Sequence, residues 1–260
     1  MEELPLLTSI DGLVTPSDEA HLPLPDDGAF RGDGVFEVLR AYGPKLFALE
    51  DHLDRLERSA AAIDLTVDRA SLEAESLSLL ERAEGTDCLL RIVSTRMGRR
   101  IITLENLLAH PPSISLATVT CSPTVILNGV KSLSYAANMQ ATRIARKAGA
   151  LEALLVAPDG TVLEAPTSTL FWVSPGGNLR TTELEAGVLD SITRDRIIHR
   201  VEVEVGSFPI EDVMGSSEAF LASTTREIQP VDSIDGQPIP VDPGPRTVEC
   251  AAAFTAALNA

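Results

Sequence analysis

The chain has 260 residues, of which 44% are hydrophobic and 4% aromatic, and it carries a formal net charge of −17. This length suffices for one large domain or for two domains with separate cores. The hydrophobic content excludes a disordered chain, and the negative charge argues against a broad nucleic-acid or anionic-membrane surface, because both need a basic field.

Targeting and metal-binding signals are weak. The segment MEELPLLTSIDG has no basic region, and no apolar run approaches the ~20 residues that span a bilayer. We therefore expect a cytoplasmic protein with no membrane or nucleic-acid partner. The three cysteines and four histidines are dispersed without the spacing of a disulfide framework or a zinc site, so we expect no metal.

The first half of the chain predicts strands and two helices. GVFEVLRAY alternates apolar and polar residues as a half-buried strand does, and GPK supplies a hairpin turn before LFAL. Apolar residues recur at helical spacing over 49–65, and a second helix is predicted over DRASLEAESLSLLERAE. Strands at CLLRIVST and ISLATVTC flank the prolines of AHPPS, where we place a boundary between a smaller N-terminal α/β domain (1–110) and a larger C-terminal domain (111–260).

The second half predicts a helix from about Lys131 to Lys147, followed by the strands EALLVAP, TVLEA and TSTLFWV. GVLDSITRDRIIHR predicts a loop that runs into a helix, and VEVEV, EAFLAS and IQPVDSI predict strands before a last Ala-rich helix. These elements do not alternate as parallel βαβ units do. The predicted class is therefore α+β, with mixed, largely antiparallel sheets.

Lys131 is the lysine whose position needs an explanation. Of the other two lysines, Lys45 falls in a polar turn and Lys147 near a helix C-terminus, where a cation is favourable. Lys131 follows the apolar segment TVILNGV and precedes Leu133 and Tyr135, so folding would partly remove it from water. Desolvation disfavours the charged ammonium and leaves a neutral amine that can form a Schiff base with a carbonyl. The alternative is a lysine that reaches solvent from a helix start.

Residues further along the chain would complete a site for pyridoxal phosphate. This cofactor needs a lysine, a carboxylate that keeps the pyridine nitrogen protonated, and several donors around the phosphate. Glu164 lies where a strand ends in small residues, and GVLDSITRD can direct the N–H groups of Ile192 and Thr193 at an anion. The alternatives are a solvated carboxylate and an ordinary helix N-cap by Asp190 or Ser191.

Two more segments offer phosphate ligands. ASTTRE places the hydroxyls of Ser223, Thr224 and Thr225 after a strand, an arrangement that is also common in turns. Arg55 in HLDRLERSA can bind a phosphate through two parallel hydrogen bonds, and its alternative is a solvated arginine on a helix face.

Six segments in this order, GDGVFEVLRAY, HLDRLERSA, GVKSLSYAAN, TVLEAPTSTLFWV, GVLDSITRD and ASTTREIQPV, resemble the class IV aminotransferases, which are fold-type IV pyridoxal phosphate enzymes. The resemblance runs over nearly the whole chain and rests on the collinear motifs together. The family includes D-amino-acid, branched-chain and (R)-amine aminotransferases and aminodeoxychorismate lyase. The resemblance implies a two-domain α/β architecture, with the cofactor at the domain interface, and a homodimer.

The resemblance also implies roles for single residues. Lys131 would form the Schiff base and move a proton between the substrate Cα and the cofactor C4′. Glu164 would pair with the pyridine nitrogen, and Tyr135 would hydrogen-bond the phenolic oxygen. The implied phosphate ligands are Arg55, Ile192, Thr193 and Thr224. Thr169 and Ser191 depart from the family pattern, which has asparagine and glycine there, and the serine alters the expected phosphate loop.

A transaminase also needs a cation that binds the substrate carboxylate. GAFRGDG and STRMGRR supply the candidates Arg31, Arg96, Arg99 and Arg100. The expected substrate-binding residues are Arg31, Phe36, Arg99, Arg100 and Thr225. Phe36 stands where D-amino-acid aminotransferases commonly carry a tyrosine, and Val38 stands where lyases of the family carry a threonine that assists elimination. The missing hydroxyl disfavours the lyase reaction.

We therefore expect a pyridoxal 5′-phosphate-dependent transaminase. Its amino donor would be a D-amino acid, with (R)-amines as further donors, and its acceptor a 2-oxo acid such as 2-oxoglutarate or pyruvate, in a ping-pong cycle. The alternatives within the family are an aminodeoxychorismate lyase and a branched-chain aminotransferase. Outside the family, the alternative is a non-catalytic protein that binds an anionic small molecule.

Overall fold

The computed structural model describes residues 4–240 and 243–258. The chain divides into two compact units. The first comprises the residues up to Ala109 together with Val130–Tyr135, and the second comprises His110–Gly129 and the residues from Ala136 onward. The domain boundary near residue 110 stays a prediction, but Lys131, which we expected in the C-terminal domain, belongs to the first unit.

Among the residues that the structure describes, the first unit has a six-stranded antiparallel sheet and three α-helices. Their bounds are β1 (Leu7–Ile10), β2 (Leu13–Pro16), α1 (Asp27–Arg31), β3 (Gly34–Tyr42), β4 (Lys45–Leu46), α2 (Leu49–Ala62), α3 (Arg69–Glu81), β5 (Cys88–Thr95) and β6 (Arg100–Glu105). The strand order is β2-β1-β6-β5-β3-β4. The predicted strands β3 and β5 and helices α2 and α3 are confirmed, whereas β1, β2, α1 and β6 are too short to show a clear period.

The two faces of this sheet differ because side chains alternate along each strand. On one side, Leu39 of β3 and Leu90 of β5 are buried in a core with Leu53 of α2, and we call this side the helix face. We call the opposite side the Phe36 face. Phe36 of β3 pairs with Val93 of β5, and Arg91 lies on the same side because it is two residues away from Val93 along β5.

The segment around Lys131 pairs with β3 through an isolated bridge between Ser132 and Val35, where the sequence predicted the start of a helix. The Phe36 N–H donates to the Lys131 carbonyl at 3.0 Å, and the Leu133 N–H donates to the Gly34 carbonyl at 2.8 Å. Gly34 permits this approach, because a β-carbon there would lie only 2.7 Å from Leu133 Cδ1 and 2.5 Å from the Ser94 carbonyl oxygen of β5. Pairing with β3 therefore holds the segment, and the helix begins only at Ala136.

Over its described residues, the second unit has a mixed sheet and four α-helices. Their bounds are β7 (Ile114–Thr120), α4 (Ala136–Lys147), β8 (Glu152–Val156), β9 (Thr169–Val173), β10 (Leu179–Thr182), α5 (Ile192–Ile198), β11 (Glu204–Gly206), α6 (Ile210–Met214), β12 (Glu218–Ser223), β13 (Glu227–Ile234), β14 (Gln237–Pro238) and α7 (Pro245–Leu258). The strand order is β11-β10-β9-β12-β13-β7-β8, with β14 on β13. The segment TVLEA contributes only an isolated bridge through Val162.

The pairing of the strands decides the fold class. In the second unit, β10–β11, β13–β7 and β7–β8 are parallel and the other pairs are antiparallel. The predicted α+β class with mixed, largely antiparallel sheets is confirmed. In the part of the chain that the structure describes, no helix combines the length and the apolar character needed to cross a membrane.

Candidate active site

The amine of Lys131 lies against two aromatic rings. Its Nζ is 4.4 Å from the ring centre of Phe36 and 6.0 Å from that of Tyr135, and the two rings meet edge to face at 5.3 Å. The Lys131 N–H donates to Ser59 Oγ at 3.1 Å, and the residue is half-buried. The surroundings therefore withdraw the amine partly from water, as the sequence predicted, and no helix starts at this lysine.

Three polar side chains form a buried cluster on the helix face, and sequence reasoning missed two of them. Glu37 and His52 are fully buried and Arg55 is 5% exposed. Arg55 donates from Nε and Nη2 to the two oxygens of Glu37, both at 2.7 Å, and His52 Nδ1 lies 2.7 Å from Glu37 Oε2. Glu37 could have been found from the sequence, since it alternates with the apolar Val35 and Leu39 on one face of β3.

The cluster has defined charges. Burial opposes ionisation of Glu37, but Arg55 and His52 outweigh it and lower the pKa of the carboxyl to about 2. Burial also lowers the pKa of His52. The positive charges of Arg55 and Lys131 lower this pKa further, whereas the negative charge of Glu37 raises it. Near neutral pH, the cluster is therefore a carboxylate, a guanidinium and a neutral imidazole.

Arg55 is thus a buried residue, and the alternative of a solvated helix-face arginine is wrong. Two of its five N–H groups are donated to the Glu37 carboxylate. The paired carboxylate gives the guanidinium a defined orientation.

In the second unit, Glu164 is held by a backbone contact. The Leu189 N–H donates to Glu164 Oε1 at 2.9 Å, and Glu164 is half-buried where the chain turns towards β9. Arg194 lies near enough for the negative charge of Glu164 to influence it; burial lowers the pKa of Arg194, and the acidic neighbours oppose that shift. The carboxylate is therefore a positioned group rather than a fully solvated one.

The start of α5 combines an N-cap with an unused hydroxyl. Ser191 Oγ accepts a hydrogen bond from the Arg194 N–H at 3.3 Å, so the predicted capping alternative is present. Ile192 and Thr193 are buried in the first turn, where N–H groups have no partner within the helix. Thr193 Oγ1 is buried without a hydrogen-bond partner among the described residues, which is a costly state for a hydroxyl.

The turn after β12 carries the other predicted hydroxyls. Ser223 and Thr224 are each 9% exposed, and Ser223 Oγ lies 3.4 Å from Thr225 Oγ1. Arg226 fixes this turn: its N–H donates to Ser223 Oγ at 3.3 Å and its guanidinium binds the buried Glu152 at 2.9 Å.

The four arginines predicted as carboxylate ligands each bind an acidic side chain. The pairs are Arg31 with Asp27 at 3.6 Å, Arg96 with Asp33 at 3.0 Å, Arg99 with Asp11 at 2.7 Å and Arg100 with Glu75 at 2.8 Å. Arg31 is 77% exposed in its side chain. Arg100 is paired with Ser94, next to Val93, so it lies on the helix face, opposite Phe36.

The predicted site residues therefore fall into two sets. The first unit brings Lys131 together with Phe36 and Tyr135, and Arg55 with the cluster of Glu37 and His52. The second unit contains Glu164, Ile192, Thr193, Thr224 and Thr225.

Comparison with known proteins gives the family. The family model for amino-transferase class IV matches residues 34–234. The chain is 31% identical to a putative branched-chain-amino-acid aminotransferase of Methanocaldococcus jannaschii (88% of each chain) and 29% identical to a D-alanine aminotransferase of Bacillus licheniformis (91% and 92%). It is 26% identical to an aminodeoxychorismate lyase of Bacillus subtilis (87% and 86%).

A solved structure shares the fold. A hypothetical aminotransferase from Mycobacterium tuberculosis in its PLP-bound form superposes with a TM-score of 0.88 at 23% identity, over 97% of this chain and 98% of that one. This likeness extends over both units of the chain and agrees with the predicted fold-type IV architecture.

The side chains present fit pyridoxal 5′-phosphate. Lys131 supplies an amine, Glu164 a carboxylate held by a backbone N–H, and Thr193 a buried hydroxyl that still lacks an acceptor or donor among the described residues. These are the three kinds of group that the cofactor requires. This chain belongs to the class IV aminotransferase family, whose members use pyridoxal 5′-phosphate as their cofactor.

Proposed function

We propose that this protein transfers the amino group of a D-amino acid to a 2-oxo acid in a ping-pong cycle, with (R)-amines as additional donors. The observation that carries the proposal is the Lys131 amine, half-buried against Phe36 and Tyr135. The similarity to a D-alanine aminotransferase supports the D-amino acid, and the similarity to a putative branched-chain enzyme makes branched-chain amino acids the next candidate donors.

In this proposal, each set of residues has one task. Bound pyridoxal phosphate supplies an aldehyde that condenses with amines and a ring that withdraws electrons from the substrate Cα. Lys131 Nζ holds the cofactor and then removes the proton from the substrate Cα. Glu164 stays ionised and pairs with the protonated pyridine nitrogen, while Tyr135 donates to the phenolic oxygen.

The phosphate ligands in this proposal are Arg55, the backbone N–H groups of Ile192 and Thr193, and the hydroxyls of Thr193 and Thr224. Support comes from the buried Thr193 hydroxyl, which has no hydrogen-bond partner among the described residues, and from the orientation that Glu37 gives to Arg55. Phe36 and Thr225 are proposed to contact the substrate.

Thr193→Val should weaken binding of pyridoxal phosphate about 10-fold, because a hydrogen bond to a charged group contributes roughly 1.5–3 kcal/mol. The cofactor-free protein should be as stable as the wild type or more so, since valine is of similar size and removes a buried hydroxyl that has no partner in the part of the chain that the structure describes. Equilibrium dialysis and urea denaturation measure the two effects. Thr255→Val, at an exposed position of α7, serves as the control. An unchanged cofactor affinity in Thr193→Val would count against the proposed phosphate contact.

The half-reaction tests the proposed function directly. The yellow, cofactor-loaded protein is mixed with D-alanine, L-leucine or (R)-1-phenylethylamine, and absorbance is followed without an acceptor. We expect the visible band to be replaced by that of the pyridoxamine form, fastest with D-alanine. No spectral change with any D- or L-amino acid would defeat the transaminase proposal. A faster change with L-leucine than with D-alanine would indicate that the donors are L-branched-chain amino acids and not D-amino acids.

An aminodeoxychorismate lyase is the second candidate, favoured by the similarity to the enzyme of Bacillus subtilis. Val38, which has no hydroxyl, disfavours it. Release of pyruvate from aminodeoxychorismate without an amino acceptor would establish the lyase reaction. The non-catalytic alternative predicts that no donor changes the spectrum and that Lys131→Ala keeps the colour of the loaded protein.

The proposal includes a homodimer in the cytoplasm, with a small-molecule donor and acceptor as the other partners. The support for the dimer is the resemblance of the motifs to the family.

A further inference from the structure

The hydroxyls that follow β12 lie in the loop of a β-hairpin in the second unit. Ser223 ends β12 and pairs with Glu227 at the start of β13. The three residues between them, two threonines and Arg226, form the loop, and we call residues 223–226 the hydroxyl turn. Glu227 closes the loop with a φ of 58°, a left-handed conformation that is unfavourable for a residue other than glycine. The shape of the turn therefore depends on contacts with the rest of the unit.

Arg226 ties the hydroxyl turn to a strand further along the sheet. Its Nη2 donates to Glu152 Oε2 at 2.9 Å, and Glu152 is the first residue of β8. In the order of the sheet, β7 lies between β13 and β8, so the guanidinium reaches past one whole strand. Its Nη1 donates to Gln229 Oε1 of β13 at 2.7 Å. The two contacts together fix the direction of the planar guanidinium as well as its distance from β8.

Both side chains that receive Arg226 are held by further hydrogen bonds. Glu152 Oε1 accepts from Thr142 Oγ1 of α4 at 2.6 Å and from the backbone N–H of the next residue at 3.1 Å. Gln229 Nε2 donates to the Pro111 carbonyl at 2.8 Å. Glu152 and Gln229 are both buried, at 4% and 3% exposure. Neither of them can therefore move away from Arg226 without breaking other hydrogen bonds.

The ion pair of Arg226 and Glu152 is withdrawn from solvent. The two side chains are 10% and 6% exposed. Burial lowers the pKa of Arg226, whereas the negative charge of Glu152 raises it, and an arginine keeps its charge in such surroundings. Removing one partner of a buried ion pair leaves the other charge unpaired, whereas replacing both by neutral side chains is often tolerated. A loss of stability can therefore be separated experimentally from a loss of position.

The hydroxyls of the turn are connected to the backbone of Arg226. The Arg226 N–H donates to Ser223 Oγ at 3.3 Å, and Ser223 Oγ lies 3.4 Å from Thr225 Oγ1. The residue that anchors the turn at β8 through its side chain thus also orients the hydroxyls through its N–H group. A shift of Arg226 would therefore displace the hydroxyls of the turn together.

We propose that the ion pair of Arg226 and Glu152 positions the hydroxyl turn for the phosphate of the cofactor. With the turn in place, Thr224 meets the phosphate and Thr225 meets the substrate. This inference rests on the proposed function, which assigns those two contacts to the turn. Arg226 and Glu152 themselves touch neither the cofactor nor the substrate in this proposal, so they are positioning residues that act through the threonines.

The test compares two ligands that differ in the phosphate. Pyridoxal 5′-phosphate and pyridoxal carry the same aldehyde and the same ring, but only the first has a phosphate. Absorbance titration of the cofactor-free protein gives the dissociation constant of each ligand, and the ratio of the two constants measures what the phosphate contributes to binding. Neither constant requires amino transfer, so both can be measured whatever the substrate.

Arg226→Met should weaken binding of pyridoxal 5′-phosphate about 10-fold, as expected for one lost hydrogen bond to a charged group, and should change the binding of pyridoxal by less than about twofold. Thr224→Val should have the same effect. Combining the two substitutions should weaken binding no further, because Arg226 acts through Thr224. Arg226→Lys should lose less, since lysine keeps a charge opposite Glu152. Arg180→Met, which removes an arginine bound to Glu204 at 2.8 Å in the same sheet, is the matched control and should change neither constant.

The double variant Arg226→Met/Glu152→Gln separates position from stability. Arg226→Met alone should lower the midpoint of urea denaturation, because it leaves the Glu152 carboxylate buried without its cation. The second substitution removes that charge, and its amide oxygen can still accept the hydrogen bond from Thr142. The midpoint should therefore recover in the double variant, whereas the affinity for pyridoxal 5′-phosphate should stay about 10-fold lower than in the wild type.

Three outcomes would overturn the positioning role: an equal fall in affinity for both ligands, an affinity that recovers together with stability in the double variant, or losses in Arg226→Met and Thr224→Val that multiply when combined. The proposed function fails independently. If the wild type shows no half-reaction with any amino acid while the preference for the phosphate still depends on Arg226, the positioning role stands and the transaminase proposal does not. If Arg226→Met changes neither constant while Thr193→Val weakens cofactor binding, the phosphate contact of Thr193 stands and the positioning role does not.

Discussion

Lys131→Ala should lower the rate of amino transfer by at least about 10³-fold and remove the Schiff-base absorbance of the loaded protein. In the proposed function, the substitution removes both the amine that holds the cofactor and the base that takes the proton from the substrate Cα. No other lysine can replace it, since Lys147 is exposed on the last turn of α4 and Lys45 is exposed in β4. Visible spectra and single-turnover rates with D-alanine measure the two effects.

Two controls separate chemistry from folding. Lys147→Ala should leave spectrum and rate unchanged. Methylamine, a small amine that can occupy the space of the missing side chain, should restore part of the rate of Lys131→Ala, which a folding defect would not allow. Borohydride reduction followed by peptide mass spectrometry locates the attached cofactor in the wild type. A label on Lys45 or Lys147 would contradict the assignment.

Glu37→Leu should destabilise the first unit by about 3–5 kcal/mol, because it leaves the guanidinium of Arg55 buried without its carboxylate. Glu37 is fully buried and receives two hydrogen bonds from Arg55 and one contact from His52. Hydrogen exchange of the amides in β3 and α2 measures this free energy locally. The double variant Glu37→Leu/Arg55→Met, which replaces the ion pair by apolar side chains, should recover much of the loss.

The same cluster should make the first unit sensitive to acid. The pKa of Glu37 is lowered from 4.5 to about 2 in the folded state. The contribution of its carboxylate to the free energy of unfolding is therefore complete above pH 4.5 and is lost as the pH falls towards 2. The size of this shift corresponds to about 3 kcal/mol. Burial also lowers the pKa of His52 in the folded state. The stability of the first unit therefore begins to fall when the pH drops below 6.5, the ordinary pKa of a histidine side chain.

Glu37→Gln tests the acid sensitivity with a side chain of nearly equal size. Its stability should be lower than that of the wild type at pH 7 and should fall less steeply between pH 4.5 and pH 2, because the titrating carboxyl is gone. Equal slopes for the two proteins in hydrogen exchange would show that Glu37 does not titrate as its contacts imply.

Periodicity in the sequence was enough to predict the main strands and helices. β3 and β5 have alternating or continuous apolar residues over eight or nine positions, and α2 has its apolar residues at helical spacing. Short strands such as β1 and β6 cannot be predicted from periodicity. They are strands because they pair with neighbouring strands, and their own residues show no clear alternation of apolar and polar side chains.

The segment of Lys131 shows where local pattern misleads. GVKSLSYAAN is compatible with a helix, but residues 131–133 exchange backbone hydrogen bonds with β3 around a bridge at Ser132, and the helix begins only at Ala136. The same tertiary contacts place the lysine in the first unit, although it lies in the second half of the chain.

The sequence by itself determined the family and the cofactor, because those depend on residue types in a fixed order along the chain, and it predicts Lys131 as the reactive lysine. Only the tertiary structure decided the partners: Glu37 beside Arg55, and Arg91 rather than Arg100 on the face of Phe36. The physical reason is the alternation of side chains in a sheet. One position along a strand moves a charge from one face to the other, and the register that sets the face is fixed by pairing between distant segments.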